Sequence, residues 1–539
     1  MYQPSLLAHG TEKVKSQIVA EFEAGVEKVL EIAGSGSRQR EVEERIWEEV
    51  LSSAQLMMSS ALSLQCRQAT EADIVARGLS EDQVRLRNEA DYWMKLTTTF
   101  GPVSFFSFAY RDSSSGVATV TRTPARSEVF PLHQHCRSSE LCLEWETRLG
   151  CEMPFRHAQQ GLTYFTHGVV TMEDTTIASH LLTVSELVER SWLYQQPEKI
   201  REVLRERATC DLETGNPIIY LSTDAHALRR YFDETWDAAW KMANGLRLWC
   251  VDRRNGAIIH LGGEFTWGDC HQVAEIIDWL IDSGHLPADG NYGGGLVASI
   301  TVLTDGMPWI EDHVVSKFTA PVAILDAYHA MEHLQDYANA RFGKGSEAAR
   351  RFYEGCIRLL LGKRSKKRSK SRKKSRAEID GVGEDNPETE SLPPWLIWEA
   401  SDGCPTAIEV LIEMLSFEDV SIYHEDDRDK LVEYLEHNAY RMDYRRYRAL
   451  GYQIGSGAME SLHRTGSQKR LKIPGARWLP ETSQALFDLR MLYLCGRWDE
   501  FWHQPLLYDK LVEAFSKKPE TDEEDEAEQG CDEVYDEAA

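Results

Sequence analysis

Three acidic residues stand where carboxylates could gather hard cations. Asp224 ends the apolar, β-rich run NPIIYLST, Asp305 ends LVASITVLT, and Glu460 lies one turn into a helix expected from IGSGAMESLHRTGSQKRLK. Two-metal phosphoryl transfer needs several carboxylates converging on a pair of divalent ions about 3.5 to 4 Å apart, because a lone carboxylate cannot serve both the attacking and the leaving oxygen. Neighbouring parallel strands deliver their end residues to one sheet edge, and Ala225 and Gly306 leave room beside the two aspartates. An aspartate after a strand is also a common turn former or helix cap, so either position taken alone is open to that reading.

Company strengthens the set. Ser456 can cap the Glu460 helix, and Gly455, Gly457 and Ala458 remove bulk around its first turn. His463 and Arg464 follow at i+3 and i+4, and Lys469, Arg470, Lys472 and Arg477 extend a strip that could position a phosphate backbone, although a carboxylate beside cations on a helix is usually a surface ion pair. In DAYHAMEHL, Asp326 and His329 share a helix face with Glu332 and His333. They could orient a phosphate, ligate metal or protonate a leaving group, or the histidines could simply pack on the sheet.

The elements that must position these groups read as a mixed α/β core. NPIIYLST, then GLRLWCVD and AIIHLGG around the turn 253–256, then the amphipathic helix GDCHQVAEIIDWLIDSG, then LVASITVLT, APVAIL and the helical AYHAMEHLQDYANARF give strand, hairpin, helix, strand, strand, helix. That is the order of a ribonuclease-H-like sheet flanked by helices. The expected organisation is a helical region over 1–96 and a small α+β region over 97–205, in which FRHAQQGLTYF and DTTIASHLLTVSELVER could form a DNA-reading helix-turn-helix or an ordinary helical hairpin. The core occupies 206–342 and resumes at 451–510 with Glu460. A helical insertion over 343–450 interrupts it, with a disordered charged linker at 363–394, and an acidic disordered tail covers 511–539.

Composition fits several packed cores, with 42% hydrophobic residues in 539. The formal charge of −27 runs against phosphate binding, but its distribution is uneven. Residues 520–537 carry eleven acids and no base, while Lys363 to Arg376 form the basic run KRSKKRSKSRKKSR, either a salt-sensitive DNA contact or a solvated linker. Without an apolar run of about eighteen residues or a secretory layout at the start, a cytoplasmic protein without a membrane span is expected. Eleven cysteines without a CxxC pair read as reduced thiols. His133, His135, Cys136, Cys142 and Cys151 cluster at spacings that match no common zinc pattern, which favours buried or incidental side chains over a metal site.

Taken together, LTDGMPWI, ILDAYHAMEHL, GYQIGSGAMES, QKRLKIPGARW and LFDLR resemble, in order over about 216–498, the catalytic half of the ISKra-type bacterial insertion-sequence transposases. FPLHQHC, LGCEMPFRHAQQGLTYFTHG and TTIASH extend the likeness upstream to about residue 97, while the cysteine pairs of some relatives are absent. The resemblance implies a ribonuclease-H-like DDE transposase with Asp224, Asp305 and Glu460 as catalytic and metal-binding acids and two Mg2+ or Mn2+ ions as cofactors. It further implies double-stranded DNA as partner, both terminal inverted repeats and target, with a homo-oligomer on the DNA. The family pattern leads one to expect Asp-Gly at the first acid, whereas this chain has STDAHALRR, and Asp211 and Asp233 lie nearby. The residues also suit a nuclease that cuts without joining and a catalytically inactive, domesticated DNA-binding protein that keeps the fold.

Overall fold

A computed structural model describes residues 9–86, 93–114, 120–232, 237–362, 406–418 and 420–517. The basic run 363–376, the linker to 394, Asp233 and the acidic residues from 518 onward lie outside these. The chain divides into two compact units, whose described residues lie within 9–189, 481–490 and 496–517 for one and within 190–480 and 491–495 for the other.

The first unit begins with the helices α1 (His9–Gly34) and α2 (Gln39–Ala76), as the helical spacing of the first 96 residues predicts. Short strands follow: β1 (Val84–Leu86), β2 (Trp93–Thr98), β3 (Gly101–Phe106), β4 (Tyr110–Asp112) and β5 (Val120–Arg122). The segment SFFSFAYR divides into two strands because Phe108 takes φ 47, a left-handed turn that no strand continues through. Its first half pairs with β2 and its second with both β1 and β5. Leu62 and Cys66 of α2 cover the β2–β3 ribbon through Met94, Leu96, Val103 and Phe105.

Helices α3 (Glu140–Glu152), α4 (Phe155–Phe165) and α5 (Asp174–Ser185) complete this part of the unit. Residues 166–173 join α4 to α5, a longer link than the turn of about three or four residues in a DNA-reading helix pair. Of the cysteine and histidine cluster, Cys136 and Cys142 enter a buried hydrogen-bond network with Glu146 and His180, while His133 Nδ1 meets the Cys136 carbonyl at 3.1 Å and His135 is exposed. Glu146 accepts from Ser138 Oγ at 2.6 Å, from Cys142 Sγ at 3.1 Å and from His180 Nδ1 at 2.6 Å, while His180 Nε2 lies 3.8 Å from Cys136 Sγ.

In the second unit, α6 (Pro197–Glu206) leads into the strands β6 (Ile218–Phe232), β7 (Asp237–Val251) and β8 (Ile258–Thr266). The expected boundary at 205/206 therefore lies inside this unit, at the end of α6. The three strands form an antiparallel meander, as the turn at 253–256 predicts. Helix α7 (Cys270–Asp282) follows and buries Val273, Ile276, Ile277 and Leu280, the face its periodicity marks. The chain then forms β9 (Ser299–Thr304), α8 (Pro308–His313), β10 (Val322–Leu325) and α9 (Ala327–Phe342). Strand order is β10-β9-β6-β7-β8, with β9 and β10 parallel to β6, so the result is a mixed sheet with helices.

Helices α10 (Glu347–Leu361), α11 (Ala407–Ser416), α12 (Glu425–Asn438) and α13 (Tyr444–Ala449) make up the insertion. They share one hydrophobic core with the sheet: Leu359, Ile408, Leu411, Leu431 and Leu435 belong to the same buried cluster as Ile218, Leu303, Ile324 and Leu334. The chain returns through α14 (Gly457–Leu462), a π-helical stretch His463–Gln468 and α15 (Lys469–Leu471). After these come α16 (Pro480–Leu494), α17 (Trp498–Trp502) and α18 (Leu507–Ser516). The tail expected from 511 is helical to Ser516, because Leu507, Leu511, Ala514 and Phe515 make one buried stripe. Among the described residues, no helix is long and apolar enough to cross a membrane.

Candidate functional site

Three aspartates end up abreast at one sheet edge. The parallel pairing of β6 with β9 ends at Ser222↔Leu303, and that of β9 with β10 ends at Thr304↔Leu325. Carrying each register forward places Asp224 beside Asp305, and Asp305 beside Asp326, on strands about 4.8 Å apart. Asp224 is not a strand end, however. β6 continues to Phe232 because β7 stays paired with it as far as Asp237, so Asp224 marks the point where the strand leaves the parallel sheet for a two-stranded ribbon.

Local hydrogen bonds orient these carboxylates. Asp224 Oδ1 accepts from the Ala225 amide at 2.7 Å, and Asp305 Oδ1 from the Met307 amide at 3.0 Å. Gly306 turns the chain between them and α8 at φ 91, where a side chain would also press on Leu325 Cδ1 at 2.9 Å. Asp326 is committed on both oxygens. Oδ1 caps α9 through the Tyr328 amide at 2.8 Å, and Oδ2 accepts from the Ser456 amide at 3.0 Å and from the Ser456 hydroxyl. Ser456 therefore does not cap α14 with its own side chain, as expected, but ties the helix start to β10.

The far end of that helical segment reaches Asp224. His463 Nδ1 lies 3.5 Å from Asp224 Oδ2, and the His463 ring stands 4.5 Å from that of His226, whose Nε2 meets Ser467 Oγ at 2.7 Å. Close approach depends on Gly245, which faces Asp224 across the ribbon. A Cβ there would sit 2.5 Å from Met459 Cε and 2.9 Å from His463 Nε2. Glu460 is exposed, about 6 Å along the helix axis from Ser456 and about 4.5 Å from His463. The segment carrying it is thus fastened at one end to Asp326 and at the other to Asp224. Among the described residues, the acids form no group with three ligand atoms within 4.8 Å of one another.

Charge crowding shows at Asp224. Burial lifts its carboxyl to about 6, Asp305 and Asp326 push the same way, and the Ala225 amide and His329 pull against them. Burial holds His463 down at about 4 and His226 at about 3, the latter helped by His463 and Lys472, so both rings are neutral near pH 7. Tyr434 of α12 is pushed well above its usual range by burial and by the charges of Asp305 and Asp326, which puts the insertion against this edge. His329 is half exposed, 3.7 Å from Glu332 and ring to ring with His333, so it is available at the rim without packing on the sheet.

The predicted cationic strip survives in part. Arg464, Lys469, Lys472 and Arg477 are exposed. Arg470 is not: it is fully buried, with its guanidinium 4.8 Å from the Trp478 ring, and belongs to the packing. Asp211, a nearby alternative to Asp224, is occupied in a buried turn with Thr214 and Tyr452. Sequence reading missed the Ser456–Asp326 tie and the His226–His463 pair. A histidine three residues after Glu460 was the one visible hint of the latter.

Asp326→Ala is expected to cost about 2–4 kcal/mol, since three donors lose a charged acceptor. Urea titration should rank wild type above Asp326→Asn and Asp326→Ala last. Equal midpoints for all three would remove the positioning role.

No protein-family model and no curated protein matches the chain. Among solved structures, it is similar to a chain of the Drosophila P element transposase strand transfer complex, at 10% identity over 70% of this chain and 83% of that one, with a TM-score of 0.22. So loose a superposition fixes neither a family nor a site.

Proposed function

We propose that this protein is a DDE-type DNA transposase with a ribonuclease-H-like catalytic unit, which cuts and joins DNA at the ends of a mobile element. One observation carries the reading: Asp224 and Asp305 come abreast where the parallel pairing of their strands ends, and His463, three residues past Glu460, lies 3.5 Å from Asp224. The strand order supports it, with an antiparallel meander first and two parallel strands added on the other edge. So does the likeness of five motifs, in sequence order, to the ISKra-type transposases.

The donor set fits hard divalent cations. Asp224 and Asp305 are oxygen ligands whose mutual repulsion a cation would relieve, and Glu460 would complete the set. Two Mg2+ or Mn2+ ions, when bound, supply charge neutralisation for the attacking and leaving oxygens. The chain's own residues do the rest by positioning. Neutral His463 holds Asp224, Asp326 fixes the start of the Glu460 helix, and the exposed Arg464, Lys469, Lys472 and Arg477 meet the phosphates of a DNA duplex. Water attacks at the element's end to free a 3′-hydroxyl, which then attacks target DNA, so no covalent enzyme intermediate is required. Assembly as a homo-oligomer on paired ends belongs to the same proposal.

The test is to incubate purified protein with labelled terminal repeats, target plasmid and Mg2+. Nicked ends followed by joined product support transposition. Nicks without joining favour the nuclease reading, and intact ends under all conditions reject both. Binding supplies a second check. Lys472→Ala should weaken DNA binding at every sequence and lower the slope of log affinity against log salt by about 1. Arg470→Ala should lower the melting temperature and leave that slope unchanged, because its cation is internal. The reverse pattern would overturn the division between the two.

A further inference from the structure

The second unit holds a cluster of softer ligands well separated in chemistry from the three acids. The Cys270 thiol and the imidazoles of His271 and His313 have ligand atoms all within 4.8 Å of one another. The two rings stand edge to face with centroids 5.0 Å apart. Among the described residues, no hydrogen bond or ion pair engages the thiol or either ring. Side chains of this kind usually find a partner when brought together, and three converging donors without one are what a metal ion would gather.

The backbone around them is firmly set. Asp269 caps α7 by accepting from the His271 amide at 2.8 Å, and its own amide donates to Gln272 Oε1 at 2.8 Å, so both ligands of the first turn sit on a fixed frame. His313 is the last residue of α8. Cys270 opens the thirteen-residue helix α7. Lys317, just past α8, pairs with Asp278 of α7 at 2.6 Å, holding the same two segments together from another point.

We propose that Cys270, His271 and His313 form a transition-metal site of the zinc class, with the fourth position left to water because His271 is exposed and the other two ligands are half buried. One thiolate and two imidazoles suit Zn2+ or Co2+ and are poor ligands for Mg2+, so the site does not compete for the cation that oxygen donors take. Its place in the fold gives it a structural task. The ion ties the end of α8 to the start of α7, and α8 begins directly after Asp305, Gly306 and Met307, so metal at this clamp steadies the loop on which Asp305 sits. The site stands independently of the transposase reading, since none of its three ligands belongs to that set.

Full-length protein stripped with chelator and reduced should take up one equivalent of Co2+ in the presence of excess Mg2+, with the thiolate-to-cobalt charge-transfer band and strong visible bands of a four-coordinate ion. One equivalent of Zn2+ should bleach them. Cys270→Ser should abolish the charge-transfer band, and His271→Ala or His313→Ala should weaken binding at least about 100-fold, more than outer-sphere partners alone account for. Asp305→Asn should bind Co2+ like wild type. Zn2+ should raise the melting temperature of wild type and not of Cys270→Ser, whose metal-free melt serves as the folding control. A wild-type protein without the thiolate band, or a Cys270→Ser protein that keeps it, overturns the assignment.

Discussion

Asp305→Asn protein is expected to fold, to bind element ends, and to cleave them at least about 1,000-fold more slowly than wild type, with Glu460→Gln losing a similar factor. Neither substitution removes a packed apolar group. Asp305 is half-buried and Glu460 exposed, and asparagine can still accept from the Met307 amide, so melting temperatures in metal-free buffer should stay close to wild type. A loss confined to chemistry is what separates a metal-holding acid from a turn former. The double variant should be no slower than the worse single one, because residues acting as a unit fail together. Wild-type cleavage by either single variant would end the assignment of that acid, and multiplicative losses in the double would mean that the two act separately.

The second large effect is on stability and arises in the other unit. Glu146→Ala should cost about 3–5 kcal/mol, because it strands a buried histidine, a hydroxyl and a thiol at once. Burial works against a charged His180, but hydrogen bonds to Cys136 and Glu146 outweigh it and lift the ring to about 10. A folded value above the unfolded one of about 6.5 means that the pair's contribution is complete below pH 6.5 and is lost as pH rises through 10. Melts of wild type and Glu146→Gln between pH 6 and 10 should therefore converge toward the alkaline end. A gap that widens with pH would show that His180 is neutral in the folded protein and that the network is held by neutral hydrogen bonds.

Much of the core could be read from local pattern. The alternating and amphipathic runs gave β7, β8, α7, β9, β10 and α9 in order, and Asp305 and Asp326 do follow their strands. Where the reading fell short, a distant partner decides. Nothing in DAHALRRYF announces a strand, since its polar residues break the alternation; the pairing from Asp224↔Gly245 onward makes it one. Charge type alone put Arg470 on the surface, whereas Trp478 draws it inside. Ser456 looked like a cap because serine before a helix usually is one, but the nearby Asp326 carboxylate is the stronger acceptor. The helical start of the expected tail was hidden by counting acids over a stretch whose first residues still carry an apolar stripe.

Because α10 to α13 share the buried core of the sheet, the segment that carries Glu460 follows Asp224 and Asp305 only through helices that must dock first. Closing so long a loop before its contacts reward it is slow. On the proposed reading, nascent or half-folded chains would hold Asp224 and Asp305 in place without Glu460, and competence to break a phosphodiester would come last, once the whole polypeptide has condensed.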